Sequence, residues 1–313
     1  MKNIFFLLPI LLSMAIASGT ASDSSSPQNG DLIYLGQKDE AMAFDGAWRI
    51  LDNEKTNTGE EGMFLLCEHL IGNADGSGVY FRNEKEPSVN TYTGSDAKKW
   101  CEDFYKTHFD EDEKSYILPT YKSDEAFEID AAIGFGNKKP KVNFDPEENI
   151  LNGDHVFLLS AEEGSSEKYG LETADKRVAG YKGEAASYWL RSPHSPSFPI
   201  DVGIVFYMGW LMDFYENQND VFGTGPIRMR PALNLSKECL SSLKKMGNDE
   251  WCLDGSARAH DSIDRSEPKP NIRATWMAIG LIAMLVLLLF LIIGLPILII
   301  LLVRRKRRKL KKA

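Results

Sequence analysis

The stretch Tyr188-Trp189-Leu190-Arg191-Ser192-Pro193 decides the fold. It begins a region rich in aromatic and branched residues, which continues through residues 202–211 and 227–235 and is typical of β-strands. The polar residues 213–225 separate the last two segments, so the pattern predicts a hairpin there.

Earlier segments mix strands with helices. Residues 47–51, 62–67 and 155–159 have the apolar composition of strands. Ser95 is a predicted helix N-cap, and capping boxes at residues 110–113 and 160–163 predict two further helix starts. The residues that share one face of the first helix are Ala97, Trp100, Cys101, Phe104 and Tyr105. Because strands and helices are interspersed without regular βαβ order, the predicted class is α+β, a mixed domain of short strands and a few helices.

The N-terminus carries an export signal. Lys2, the apolar residues 4–16 and the small residues after them predict a signal peptide over residues 1–21, cleaved after Ala21 or Ala17. The Ser- and Asp-rich residues 22–30 are expected to be disordered.

The C-terminus predicts a membrane anchor. Residues 274–303 hold no charged side chain and are long enough to cross a bilayer as one transmembrane helix. The basic tail 304–313 is predicted to be cytoplasmic and to contact anionic lipid headgroups. We therefore expect a single-pass protein of the cell membrane, held in the lipid bilayer with its N-terminal domain outside.

Between these ends the chain predicts one globular ectodomain, residues 31–236. A Cys-containing extension, residues 237–253, and a polar stalk, residues 254–273, follow it. Once Lys2 and the eight Lys and Arg of the tail are set aside, 27 basic residues remain beside all 45 Asp and Glu, a net charge of −18. So acidic a domain argues against a nucleic-acid partner, which needs a basic face.

Three segments together carry a resemblance to a known family. They are residues 48–51 with the strand after them, the Tyr188–Pro193 stretch, and Arg228-Met229-Arg230-Pro231-Ala232-Leu233-Asn234-Leu235. This set resembles a family catalogued only as a domain of unknown function, common in exported proteins of Gram-positive gut bacteria. That family is in turn similar to the C-type-lectin-like fold of formylglycine-generating enzymes. The resemblance implies a C-type-lectin-like domain.

The motif residues have a physical interpretation of their own. In a strand, Trp189 and Arg191 share a face, and Pro231 holds Arg230 extended. A buried guanidinium has five donors that can join strands through carboxylates and carbonyls, so we predict structural roles for Trp189, Arg191 and Arg230. The alternative is ligand contact, because arginine is also the usual anion clamp.

The predicted ligand-binding face is the late hairpin, and its candidate residues are Trp210, Tyr215, Asn217, Asn219 and Asp220. In C-type lectins, acidic and amide side chains near such loops bind calcium and sugar. Glu216, Asn219 and Asp220 are therefore candidate calcium ligands, although a polar surface turn explains the same residues. No other cofactor is predicted.

The four cysteines suit an exported protein. Cys239 and Cys252 are candidate partners of a disulfide, being close in sequence after the domain. Cys67 and Cys101 either pair with each other or are buried free thiols.

No catalytic constellation stands out: the five histidines lack metal-ligand spacing, and there is no nucleophile elbow or phosphate-binding glycine loop. We therefore expect a membrane-anchored extracellular binding or interaction module, non-catalytic, with an extracellular glycan or protein as ligand. The first alternative is a surface enzyme that acts on wall polymers or proteins. The second is a structural or assembly factor held at the membrane.

Overall fold

The computed structural model of the protein describes residues 26–81, 91–131, 141–194, 201–215, 227–247 and 249–253. The strands of this part are β1 Leu32–Tyr34, β2 Ala47–Asp52, β3 Met63–Cys67, β4 Ile117–Leu118, β5 Thr120–Asp124, β6 Phe127–Asp130, β7 Lys141–Phe144, β8 Glu147–Asp154, β9 Val156–Leu158, β10 Ala179–Tyr181, β11 Glu184–Ala186, β12 Tyr188–Pro193, β13 Asp201–Val205, β14 Leu211–Tyr215, β15 Pro231–Leu235, β16 Leu243–Gly247 and β17 Glu250–Leu253. The α-helices are α1 Asp96–His108, α2 Glu111–Tyr116 and α3 Ala174–Arg177, and short 3₁₀ helices cover Glu163–Ser165, Glu167–Tyr169 and Lys237–Ser242.

One large sheet organises the domain. Its strand order is β16-β17-β1-β2-β3-β15-β4, and β9 pairs with the same edge of β15 as β4 does. Every residue of β3 and β15 is buried, which is why β3 is a continuous apolar run and β15 is apolar except at Asn234, rather than alternating. Three antiparallel strands, β12-β13-β14, form a second sheet, and three strand pairs, β5-β8, β6-β7 and β10-β11, complete the β-structure.

The predicted α+β class is wrong, and so is the C-type-lectin-like mixed domain. Strands account for 43% of the structure and helices for 19%, and the main sheet curls into a half-barrel. Both predicted capping boxes are present, but the helical segments that follow them are short. The capping box of Asp110 and Glu113 begins a helix of six residues, and that of Ser160 and Glu163 is followed only by a 3₁₀ turn of three. Capping chemistry marks where a helix starts, but packing decides how far it runs.

In the part of the chain that the structure describes, no helix is both long and apolar enough to cross a membrane. The segments on which the predictions of targeting rest lie outside the described residues: 1–21, 254–273, 274–303 and 304–313. Those predictions concern localisation and stay predictions.

The predicted hairpin across residues 213–225 is also wrong. β14 pairs with β13, to which it is joined by the short turn 206–210, whereas β15 pairs with β3, β4 and β9 in the main sheet. β15 is buried on both faces, and its one polar side chain, Asn234, is hydrogen-bonded to Asn57 and Thr120, so a central position in the main sheet suits it better than a hairpin partner would.

Residues 237–253 belong to the domain rather than to an extension. β17 pairs in parallel with β1 and antiparallel with β16, and Trp251 and Leu253 lie in the main core. The domain therefore continues through Leu253.

Candidate functional site

A cleft of about 460 Å³ opens beside helix α1, between it and the end of β8. Its lining residues are Thr93, Lys98, Glu102, Tyr105, Lys106, Asn152, Gly153, Asp154, His155 and Val156. It combines two ring side chains with charged groups of both signs, a composition suited to a polar ligand with a flat apolar face.

Helix geometry explains one wall of the cleft. Ser95 caps α1 by accepting a hydrogen bond from the backbone N–H of Lys98 at 3.0 Å. Ala97, Cys101 and Phe104 are buried in the core. The positions 98, 102, 105 and 106 recur at the helical spacing, so their side chains line a different face, which borders the cleft.

The opposite wall is the end of β8 and the residues that join it to β9. Gly153 lies at a bulge in β8, where Asn152 pairs with Tyr121 and Asp154 pairs with Thr120, and its φ of +86° is a conformation that favours glycine. The carboxylate of Asp154 accepts a hydrogen bond from the backbone N–H of Asn152 at 2.7 Å and forms an ion pair with Lys98. This ion pair joins α1 to β8, so the two walls are held at a fixed separation.

Two stacked rings form an aromatic platform at the cleft. The rings of Tyr105 and His155 lie 4.4 Å apart and within 7° of parallel. Burial lowers the pKa of His155 and raises the pKa of Tyr105, so both rings are uncharged near neutral pH. The two stacked rings are therefore neutral, and the carboxylate of Glu102 and the amide of Asn152 are hydrogen-bonding groups in the same cleft.

The sequence prediction placed the ligand elsewhere, at the late hairpin. Trp210 is half-buried in the turn between β13 and β14, where its ring stacks on Phe206 at 6.2 Å. Tyr215 ends β14 opposite Asp201. The remaining candidates, Glu216, Asn217, Asn219 and Asp220, lie outside the described residues, so the calcium prediction stays a prediction.

Arg191 lies at the centre of a buried ionic network. Its Nε and Nη2 donate to the two carboxylate oxygens of Asp124 at 2.8 and 2.7 Å, and its Nη1 donates to Glu163 at 2.7 Å. Lys122 also donates to Glu163, at 2.5 Å. Burial alone would lower the pKa of Arg191, but the two carboxylates more than reverse this and raise it.

Trp189 and Arg230 make contacts with the backbone. The indole N–H of Trp189 donates to the carbonyl of Val79 at 2.7 Å, and Nε of Arg230 donates to the carbonyl of Cys67 at 3.1 Å. Both side chains are buried, as is Arg191. Neither Trp189 nor either arginine lines the cleft.

The predicted Cys239–Cys252 disulfide is not formed: all four cysteines are buried, and no disulfide joins any two of them. Cys239 packs in the main core, whereas Cys252 belongs to a separate small cluster with Leu32, Tyr34 and Ala47. Each of the two cysteines is thus packed in a different cluster of the core. Cys67 and Cys101 likewise do not pair, and burial raises the pKa of Cys101 to about 12.

The cleft was not predicted from the sequence. The spacing of Lys98, Glu102 and Tyr105 on a capped helix is a signal that could have identified one wall. The other wall, Asn152 to His155, begins more than 45 residues later in the chain, and only the tertiary fold brings it to α1.

The chain belongs to a family of domains of unknown function, DUF6273, whose family model matches residues 60–237. The match includes the Tyr188–Pro193 stretch and β15, so the expected membership of such a family is confirmed. It begins after β2 and ends at Lys237, which leaves β1, β2, β16 and β17 outside it. Neither the search of curated proteins nor that of solved structures found a match.

Proposed function

We propose that this protein is a non-catalytic binding or interaction module that acts outside the cell and takes its ligand in the α1 cleft. The observation that carries the proposal is the neutral Tyr105–His155 platform bordered by Glu102 and Asn152. A saccharide fits this chemistry, since one face of a sugar ring packs on aromatic rings while its hydroxyls bond to carboxylate and amide groups. The ligand class is therefore an extracellular glycan.

The α1 wall supports a binding role for a further reason. Asp154 has the most buried carboxylate of the cleft, and this carboxylate is already paired with the ammonium group of Lys98. Glu102 is exposed, in contrast, and its carboxylate is accessible to a ligand. A cleft with one accessible acid and a rigid aromatic platform is suited to orienting a ligand.

A glycan array probed with the full-length protein tests the proposal. For each glycan that binds, Tyr105→Ala should weaken affinity about tenfold, since the truncation removes the stacking face. Tyr80→Ala is the matched control, because Tyr80 is an aromatic residue with 59% of its surface exposed that lies outside the cleft. Trp210→Ala tests the late hairpin instead. If Trp210→Ala alone weakens binding, or if no glycan binds, the proposed ligand site is wrong.

A surface enzyme is the second candidate, and the neutral imidazole of His155 in a concave site favours it, because a neutral imidazole can accept a proton. The measurement is release of soluble fragments from wall polymers. Release by the wild-type protein that disappears in His155→Asn would establish the enzyme and refute the non-catalytic proposal. Absence of release by the wild-type protein would remove this candidate.

A further inference from the structure

A second group of polar side chains lies away from the cleft, where β12 ends and the β13–β14 pair begins. His194, Asp201 and Asp213 each turn one ligand atom towards the others, and these three atoms lie within 4.8 Å of one another. Nε2 of His194 is 3.1 Å from a carboxylate oxygen of Asp213. One imidazole and two carboxylates thus converge on a single point.

Strand register explains why the two carboxylates meet. Asp213 lies directly opposite Gly203, and Asp201 lies two residues before Gly203 in β13. Residues two apart in a strand share a face, as do directly opposed residues, so Asp201 and Asp213 are diagonal neighbours on one face. The backbone N–H of His194 donates to the carbonyl of Asp201 at 3.0 Å and thereby positions the histidine at the strand end.

The imidazole is oriented from outside the group. Nδ1 of His194 is 2.7 Å from the backbone carbonyl of Asn143, which can only accept a hydrogen bond. Nδ1 therefore carries the proton, and Nε2 is the nitrogen that faces the carboxylates. A backbone carbonyl that fixes the tautomer and the ring is the usual outer support of a metal-ligating histidine.

An apolar ring packs against the same group. The buried ring of Phe144 lies 6.3 Å from that of His194 and packs so closely over Gly203 that a Cβ there would lie 2.8 Å from it. The His194 side chain is itself only 9% exposed, whereas that of Asp213 is 36% exposed. The group thus packs against an apolar ring on the side of His194 and is partly exposed at Asp213, and such an apolar surrounding strengthens the attraction between the carboxylates and a cation.

We propose that His194, Asp201 and Asp213 bind a divalent transition-metal ion of the zinc class. The two carboxylates and one neutral imidazole carry a charge of −2, which such an ion balances. In a tetrahedral zinc site with bonds of about 2.0 Å, ligand atoms are about 3.3 Å apart, close to the distance between His194 and Asp213. The imidazole disfavours calcium, which takes oxygen ligands. This site is separate from the α1 cleft and independent of the proposed glycan binding.

Zinc titration of the metal-free full-length protein by calorimetry tests the proposal. We expect one zinc ion per chain at this site, and at least a tenfold loss of affinity in His194→Asn and in Asp213→Asn. Asn at position 194 retains an N–H that can donate to the carbonyl of Asn143 but removes the ligating nitrogen. Asp213→Asn changes a half-exposed side chain, and it keeps the test valid if the histidine variant does not fold.

The matched control is His69→Asn. His69 also faces a carboxylate, with its Nε2 3.5 Å from Asp45, but among the described residues no second carboxylate completes a group there. Zinc affinity should be unchanged in this variant. The proposal is overturned if the wild-type protein binds no zinc, if Asp213→Asn binds it as tightly as wild type, or if His69→Asn loses as much affinity as His194→Asn.

Discussion

Arg191 and Asp124 form a bidentate ion pair in the interior of the domain, with Nε and Nη2 donating to the two carboxylate oxygens at 2.8 and 2.7 Å. Arg191 is fully buried and the side chain of Asp124 is 6% exposed. The pair joins β5 to β12, two strands of separate sheets. Its function in the fold is therefore to connect layers that do not share a hydrogen-bonded edge.

Replacing Arg191 by Met should lower the free energy of unfolding by about 3–5 kcal/mol, because it leaves the buried carboxylate of Asp124 without its cation and the carboxylate of Glu163 with Lys122 alone. Urea denaturation measures this difference. Arg49→Met is the control, since the Arg49–Glu68 ion pair is partly exposed and should contribute no more than about 1 kcal/mol. Equal losses in the two variants would contradict a structural role for Arg191.

The charge of Glu163 should make stability depend on acid pH. Burial alone would raise its pKa, but Arg191 and Lys122 lower the pKa well below the ordinary value of 4.5. A carboxylate with a depressed folded-state pKa stabilises the fold above 4.5, and this contribution is lost as the pH falls below that value. The stability difference between wild type and Glu163→Gln should therefore shrink in acid. Glu162→Gln, an exposed neighbour, serves as the control, and a gap that stays constant from pH 7 to pH 3 would refute the expectation.

Gly209→Ala should be strongly destabilising. Gly209 has φ of +78°, and an added Cβ would lie 1.9 Å from the backbone carbonyl oxygen of Ala174, which begins α3. Gly59→Ala is the control. Gly59 also has a positive φ, +84°, but the space around its Cβ position is open, so this variant carries the backbone strain without the clash. Gly59→Ala should cost about 1 kcal/mol of backbone strain, and Gly209→Ala at least about 2 kcal/mol more. Similar thermal unfolding midpoints for the two variants would show that α3 shifts to accept the added Cβ at little cost, and would contradict this prediction.

All four cysteines should resist modification in the native state. They are buried, and burial raises the pKa of both Cys101 and Cys239 to about 12, so the reactive thiolate is scarce at neutral pH. A thiol reagent should label no site in the folded protein and four in urea without reductant. Labelling of only two in urea would reveal a disulfide and contradict this expectation, and mapping the two labelled residues would show whether it joins Cys239 to Cys252 or Cys67 to Cys101.

Local chemistry made part of this fold predictable. The Ser95 cap and the apolar spacing behind it predicted α1, and the capping box of Asp110 predicted α2. The apolar runs of β2, β3, β9 and β12 were recognisable for the same reason: each pattern is contained within a few residues. The family resemblance depended on those runs, and it was confirmed at the level of the family.

Pairing over long distances was not predictable. β17 pairs with β1, which lies more than 200 residues earlier in the chain. β15 pairs with strands of the main sheet rather than with β14, its neighbour in the sequence. The group of His194, Asp201 and Asp213 depends on the register of β13 and β14, and a shift of one residue would turn Asp213 to the other face. Register is decided by tertiary packing, so no spacing in the sequence indicates this group.

The parallel pairing of β1 with β17 has a mechanical consequence. Leu32 lies opposite Glu250, and Tyr34 lies opposite Cys252. β1 therefore begins at one end of the pair, and β17 ends at the other. A force that pulls the start of β1 away from the end of β17 acts along the strands and loads their shared hydrogen bonds together, in shear. Such a domain resists stretching between its ends better than one whose terminal strands unzip bond by bond.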